Sequence, residues 1–253
     1  MNVGLFIPCY IDQFYPQTGL ATVELLEHYG VSVSFPDAQT CCGQPMNNSG
    51  CTSDAATLAR HFVKVFADFD HVVAPSGSCV SMVRNHYEHL LDPQDKAAAA
   101  VRERTFELSE FLCDVLQVEP PSGSFPFQVG LHQSCHGLRE LRLGASSEVM
   151  ENRPNRLQDL LASLEGIRFS ELSRIDECCG FGGTFAVAEE AVSCLMGNDR
   201  LQDHLDAGSQ IITAGDMSCL MHLDGLIRRQ KLPLKVMHFS EILADAVRSP
   251  EDD

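Results

Sequence analysis

Short apolar runs and amphipathic stretches alternate along this chain. The runs 3–7 (VGLFI), 31–35 (VSVSF) and 71–74 (HVVA) are rich in β-branched residues and too short for stable helices, so they read as strands. Between them, 18–29 gathers Leu20, Val23, Leu25 and Leu26 on one side and stops at Gly30. The stretch 54–68 has the same spacing and opens on Asp54, a good N-cap. Helical periodicity returns over 157–164 and 189–205. Strands that alternate with helices predict βαβ units and mostly parallel sheets.

The pattern then repeats. VGLFIPCY (3–10) answers to VGLHQSCH (129–136), VSVSFPDAQTCCG (31–43) to IRFSELSRIDECCG (167–180), and HVVAPSGSCVSMV (71–83) to QIITAGDMSCLMHL (210–223). Three matches in the same order predict a duplication. The expected fold is α/β, with two homologous Rossmann-like lobes of mostly parallel sheet related by an approximate two-fold. The halves are 1–118 and 124–253, each a cysteine-rich lobe, joined by Glu119-Pro120-Pro121-Ser122-Gly123, a stretch of linker composition. In open α/β sheets, ligands bind beyond the carboxyl ends of the strands. Cys9, Cys41, Cys42 and Cys79 fall there in the first half, and Cys135, Cys178, Cys179 and Cys219 in the second.

Charge and composition narrow the function. The chain carries 18 Lys and Arg against 35 Asp and Glu, a formal charge of −17, with no basic cluster. A nucleic acid or an anionic membrane needs a basic footprint, so neither is expected as a partner. The first residues lack a charged n-region and a long apolar core, and no run is long enough for a membrane span. The expected location is the cytoplasm. Thiols stay reduced there, so 11 cysteines in a chain of this length point to metal or redox chemistry rather than a disulfide framework.

Soft thiolates suit iron–sulfur clusters, and adjacent cysteines reach different irons of one cluster more readily than they pair with each other. Gly43 and Gly180 follow the two Cys-Cys pairs and let the backbone turn closely around a cofactor. Four thiolates also suit structural zinc, but the compact Cys pairs of zinc sites are missing. Cys51, Cys113 and Cys194 have no counterpart in the other half and read as small buried apolar residues. His132 and His136 bracket Cys135, and His222 follows Cys219 by three, so these histidines are candidates for iron ligation or proton relay. Arg139 and Arg142 suit either a substrate carboxylate or surface ion pairs. His61, His71, His86, His89 and His204 need no function. No Gly-rich nucleotide motif links a strand to a helix.

HQSCHGLREL, CCGFGGTFAV and GDMSCLMH are specific signatures, and through them nearly the whole chain resembles the CCG-domain cysteine-rich proteins. That group includes the cysteine-rich subunit of heterodisulfide reductase and the glycolate oxidase iron–sulfur subunit, and the chain looks most like its lactate utilization protein A family. In each half the group carries a cysteine, a Cys-Cys pair and C-x-x-C. Here Ser76 and Asp216 replace the first cysteine of C-x-x-C, which leaves four thiolates per half. The resemblance implies one or two iron–sulfur clusters, in the 4Fe–4S form, on the eight repeated cysteines. Ser76 and Gly43, with Gly180 and His222, would line them. His132, His136 and Asp216 are the candidates for proton chemistry, with Asp216 also a candidate oxygen ligand and equally suited to capping the next helix. The implied function is electron transfer in an L-lactate-oxidising complex with other iron–sulfur subunits, with a 2-hydroxy acid as a further candidate ligand. The alternative is a zinc or thiol protein acting in disulfide chemistry or assembly. The richer surroundings of the second half predict that it holds the principal cluster.

Overall fold

The predicted strands supply three of the four strands in each of two sheets in the computed structural model, which describes residues 1–149 and 153–248. Each sheet gains a fourth that the pattern does not announce. The last residues of the second half, 249–253, lie outside the described residues. In the first sheet β1 (Asn2–Leu5) pairs with β2 (Ser32–Ser34) on one side and β3 (His71–Ala74) on the other, and β3 pairs with β4 (Thr105–Glu107). The second sheet repeats this with β5 (Gln128–Leu131), β6 (Arg168–Phe169), β7 (Ile211–Ala214) and β8 (Lys235–His238). The orders β2-β1-β3-β4 and β6-β5-β7-β8 are the same, and every ladder is parallel. Both lobes are therefore Rossmann-like, and the duplicated segments occupy matching places.

The expected helices lie within a few residues of their predicted bounds, at Pro16–His28, Thr52–Phe66, Arg156–Leu161 and Glu190–Asp206. Two starts differ for local reasons. Pro16, free of a donor, takes the first helical position and moves that start earlier. Cys51 rather than Asp54 occupies the cap of the next helix, leaving Asp54 in its first turn, where its charge suits the dipole. No helix among the described residues is long and apolar enough to cross a membrane.

One apolar core runs through both lobes, from Leu5, Ile11, Leu25 and Phe111 to Val129, Leu160, Ile212 and Ile242. The helix Pro16–His28 packs against Phe239–Val247 of the other lobe. Thr18 Oγ1 donates to Glu241 Oε1 over 2.8 Å, and Tyr15 donates to Asp224 over 3.0 Å. Near the linker the ion pair Arg156–Asp114 spans 2.7 Å.

The seam also buries a matched pair of helix caps. Glu107-Leu108-Ser109-Glu110 follows β4 as His238-Phe239-Ser240-Glu241 follows β8. Both Glu107 and His238 are fully buried and cap the next helix with their side chains. Glu107 Oε2 accepts from Ser109 N over 2.7 Å, but Oε1 has no partner among the described residues, and burial pushes this carboxyl up to about 8. An acid whose folded pKa is raised favours folding in its protonated form, so its contribution is lost as pH rises from about 4.5 toward 8. Glu107→Gln places an amide where the orphan oxygen sits and keeps the other acceptor. We predict near-equal stability to the parent at pH 4.5, then a growing advantage for the variant, at most about 1.4 kcal/mol per pH unit. Urea unfolding across that range measures it, and a constant difference would exclude the effect.

Candidate metal centre

The chain runs from β1 out to β2 on one side and then back to β3 on the other, so a crevice opens between the carboxyl ends of β1 and β3. Cys9 lies just beyond β1 and Cys79 beyond β3, while Cys41 and Cys42 arrive from the loop after β2. Cys135, Cys219 and the pair Cys178-Cys179 take the same places around β5, β7 and β6. The topology thus brings residues 32 to 43 positions apart to one point in each lobe.

All eleven cysteines are free. In the first lobe the thiols touch in the order Cys9, Cys41, Cys42, Cys79, with Cys42 Sγ and Cys79 Sγ 3.4 Å apart. In the second the order is Cys135, Cys178, Cys179, Cys219. Hydrogen bonds from Cys42 and Cys9 hold Cys41 down to about 3, and those from Cys135 and Cys179 hold Cys178 down to about 2. Main-chain donors add to this. Gly43 N reaches Cys41 Sγ at 3.4 Å, Gly180 N reaches Cys178 Sγ at 3.3 Å, and Phe181 N reaches Cys179 Sγ at 3.5 Å. In each frame the charge settles on that one sulfur, Cys41 or Cys178, and the thiols that abut it, Cys9 and Cys42 or Cys135 and Cys179, are pushed up by their hydrogen bonds to it and by burial. Four convergent thiols per frame, with main-chain N–H donors at the Cys-Cys pair, fit an iron–sulfur cluster by donor chemistry.

Gly43 and Gly180 both turn through the left-handed region at φ 87°. They differ in room. A Cβ on Gly43 would stay 3.5 Å from its nearest neighbours, whereas one on Gly180 would come within 2.6 Å of Ser193 O and 2.7 Å of Met196 Cβ. We predict that Gly180→Ala displaces the Cys178-Cys179 turn and lowers both metal content and melting temperature. Gly43→Ala carries only the backbone strain of about 1–2 kcal/mol. Equal effects of the two substitutions would refute the close-approach argument.

The other candidate residues divide. Ser76 and Asp216 are mates across the pseudo-two-fold, and they meet there as an isolated antiparallel bridge. Both are fully buried and cap the helices carrying Cys79 and Cys219. Asp216 Oδ2 accepts from Ser78 N of the other lobe over 2.7 Å, and Oδ1 accepts from Ser218 N and Oγ over 3.1 and 2.7 Å. The Tyr10 hydroxyl completes the knot, 2.7 Å from Ser76 Oγ and 3.3 Å from Asp216 Oδ1. Of the two sequence readings of Asp216, the structure displays the helix cap. His136 turns toward the first lobe, with Nε2 3.3 Å from Gln44 Nε2. His222 Nε2 lies 3.2 Å from Ser193 O, tying two helices together beside Phe181.

Arg139 makes a forked pair with Glu148 at 3.1 and 3.0 Å, which fits the surface ion-pair reading. Cys113 and Cys194 are half-buried and pack against the apolar core, close to their expected role, whereas Cys51 is exposed and departs from it. Cys51 stands at a helix cap, a surface position, which is why it stays in solvent.

His132 is different. It is 1% exposed, and its ring lies within 4.8 Å of Cys179 Sγ and Cys219 Sγ. Neither ring nitrogen has a hydrogen-bond partner among the described residues. Burial and then the nearby Arg200 guanidinium push it down to about 3, so the imidazole is neutral. Arg200 and His204, which sequence reasoning passed over, pack beyond it. Arg200 is fully buried, paired with Asp203 at 3.0 Å, and its Nε and Nη2 have no partner among the described residues. His204 is pushed down to about 2 by burial, Arg200 and His132. The duplication held the signal that finds them. Phe6 is the mate of His132, and it packs on Phe62 and Phe66 with centroids 4.9 and 5.8 Å away. A Cβ on Gly4 would meet Phe66 and Phe69, where one on its mate Gly130 would meet His204 and Ser209. An aromatic cluster in one lobe is rewritten as a polar one in the other.

Two α/β lobes, each with four thiols at its topological crevice, define a duplicated cysteine-rich class. The CCG cysteine-rich domain matches residues 3–84 and 129–224, one copy per lobe. The chain belongs to the lactate utilization protein A family of CCG cysteine-rich proteins. It is 40% identical to lactate utilization protein A of Exiguobacterium sp., over 98% of each chain. Identity to that of Halalkalibacterium halodurans is 40% over 100% of each chain, and to that of Bacillus subtilis 38% over 96% of this chain and 99% of the relative. Among solved structures, a hypothetical protein from Helicobacter pylori superposes with a TM-score of 0.66 over 99% of this chain at 13% identity, which shows a shared fold. The chain spans 50% of that protein's length.

Proposed function

We propose that this chain is an iron–sulfur electron-transfer subunit in the oxidation of L-lactate to pyruvate. The observation that carries this is the pair of four-thiol frames, built in the same residue order at the crevice of each lobe. The name of the relatives supplies the substrate. Lactate oxidation releases two electrons and two protons, so a chain of this kind needs carriers and partners that accept them.

Cys9, Cys41, Cys42 and Cys79 would hold one cluster, and Cys135, Cys178, Cys179 and Cys219 the other, both 4Fe–4S. When bound, such a cluster supplies one-electron chemistry at a potential set by its surroundings. This chain's residues do the rest. The N–H groups of Gly43, Gly180 and Phe181 offset negative charge on sulfur, which makes reduction easier. Phe6 and Phe62 belong to the apolar cluster that buries Cys42 and Cys79 of the first frame, while Cys9 stays exposed. The second frame, beside His132, has polar neighbours. The lobes are taken as 1–118 and 124–253, the location as cytoplasmic, and the partners as the other iron–sulfur subunits of the system. A 2-hydroxy acid would then be oxidised on a partner or at a site shared with one.

The deciding experiment is anaerobic purification with iron, acid-labile sulfide and zinc analysis. A brown protein with matching iron and sulfide is expected. A colourless chain with stoichiometric zinc would overturn the reading in favour of a zinc or thiol role.

A further inference from the structure

We infer that His132 is a nitrogen ligand to iron in the second frame, taking the place of one of its neighbouring thiolates, Cys179 or Cys219. The inference rests on the cluster reading above and adds to it an asymmetry between the two sites. Three observations carry it. The ring is buried, yet neither nitrogen has a partner among the described residues, and a buried polar atom without one costs about 1–3 kcal/mol. A bound metal removes that cost for one nitrogen.

Spacing is the second observation. One nitrogen of the ring and the Cys179 and Cys219 sulfurs all lie within 4.8 Å of one another. Donors to one metal stand about 3–4.5 Å apart, so the ring nitrogen is close enough to reach an iron that either sulfur would otherwise hold. The third observation is the mate. Phe6 holds the same place in the first lobe, in a fully apolar setting, and offers no donor. The first frame is thus all-thiolate and the second is thiolate plus imidazole. Substituting a neutral nitrogen donor at iron raises a cluster's potential, which would make the second site the stronger electron acceptor.

His136 and His222 serve as internal comparisons, because each has a polar neighbour elsewhere at Gln44 and Ser193. The test uses the full chain, loaded anaerobically, labelled with nitrogen-15 histidine and examined by pulsed EPR in its paramagnetic state. A hyperfine coupling of a directly bound nitrogen is expected, with lines that change on isotope substitution. It should survive in Cys41→Ser/Cys42→Ser, His136→Phe and His222→Phe and vanish in His132→Phe, which installs the first lobe's own residue. A cluster signal without that coupling overturns the inference and leaves the cluster reading standing. So does a coupling that persists in His132→Phe or is lost in His136→Phe or His222→Phe. Absence of iron from the loaded chain overturns both. Should His132→Phe fail to fold, the unsubstituted chain and the two comparison variants still decide the matter.

Discussion

The double substitution Cys178→Ser/Cys179→Ser is expected to remove the larger share of bound iron and abolish lactate-dependent growth. Cys41→Ser/Cys42→Ser should cost less in both assays. The two pairs are mates in sequence and in position, so the expected difference comes from their surroundings. The second pair sits beside His132, on a turn with no room for a side chain at Gly180. A cluster takes its thiolates from protein, and solvent does not replace them. Cys51→Ser and Cys194→Ser are the controls, since neither lies in a frame, and iron should be unchanged. If the first pair proves the more damaging in both assays, the second lobe is not the principal site.

The second large effect is expected at Asp216. Its carboxylate is fully buried and satisfies main-chain donors from both lobes, at Ser78 and Ser218. Asp216→Ala leaves those two N–H groups without partners, at a cost of about 3 kcal/mol or more. Asp216→Asn keeps one acceptor oxygen but turns an amide N–H₂ toward a donor, and should fall about midway. Urea unfolding of the metal-free chain measures both. A loss under about 1 kcal/mol would show that the seam does not depend on this carboxylate. Iron loss with unchanged stability would instead place Asp216 in the cluster's own chemistry.

Much of this arrangement is legible in the residues alone. Internal repetition located both lobes, and the rule that ligands gather beyond strand ends located the eight cysteines, because each closes an apolar run. Spacing failed where long-range contact decides. Nothing near Ser76 or Asp216 announces that the two positions face each other, since 140 residues separate them and only the docking of the lobes brings them together. His204 and Arg200 looked like ordinary helix residues. Their burial follows from the packing of the helix Glu190–Asp206 on the strand that carries Gly130, and amphipathic spacing does not report which polar residues are turned inward. Cys51 shows the converse, an apolar residue type placed in solvent by a local cap.

The bridge between Ser76 and Asp216 also bears on why the two modules are one polypeptide. A single module forming a symmetric pair would meet its own copy on the axis, so the same residue would stand on both sides. Two buried aspartates in that place would repel, and one would have to take up a proton. Two serines would supply no charge to hold the opposing main-chain donor. Covalent fusion frees the axis from this identity rule, so a hydroxyl can face a carboxylate and each can cap its own helix. The same freedom allows Phe6 and His132 to differ, giving the two cysteine frames unequal surroundings inside one nearly symmetric scaffold.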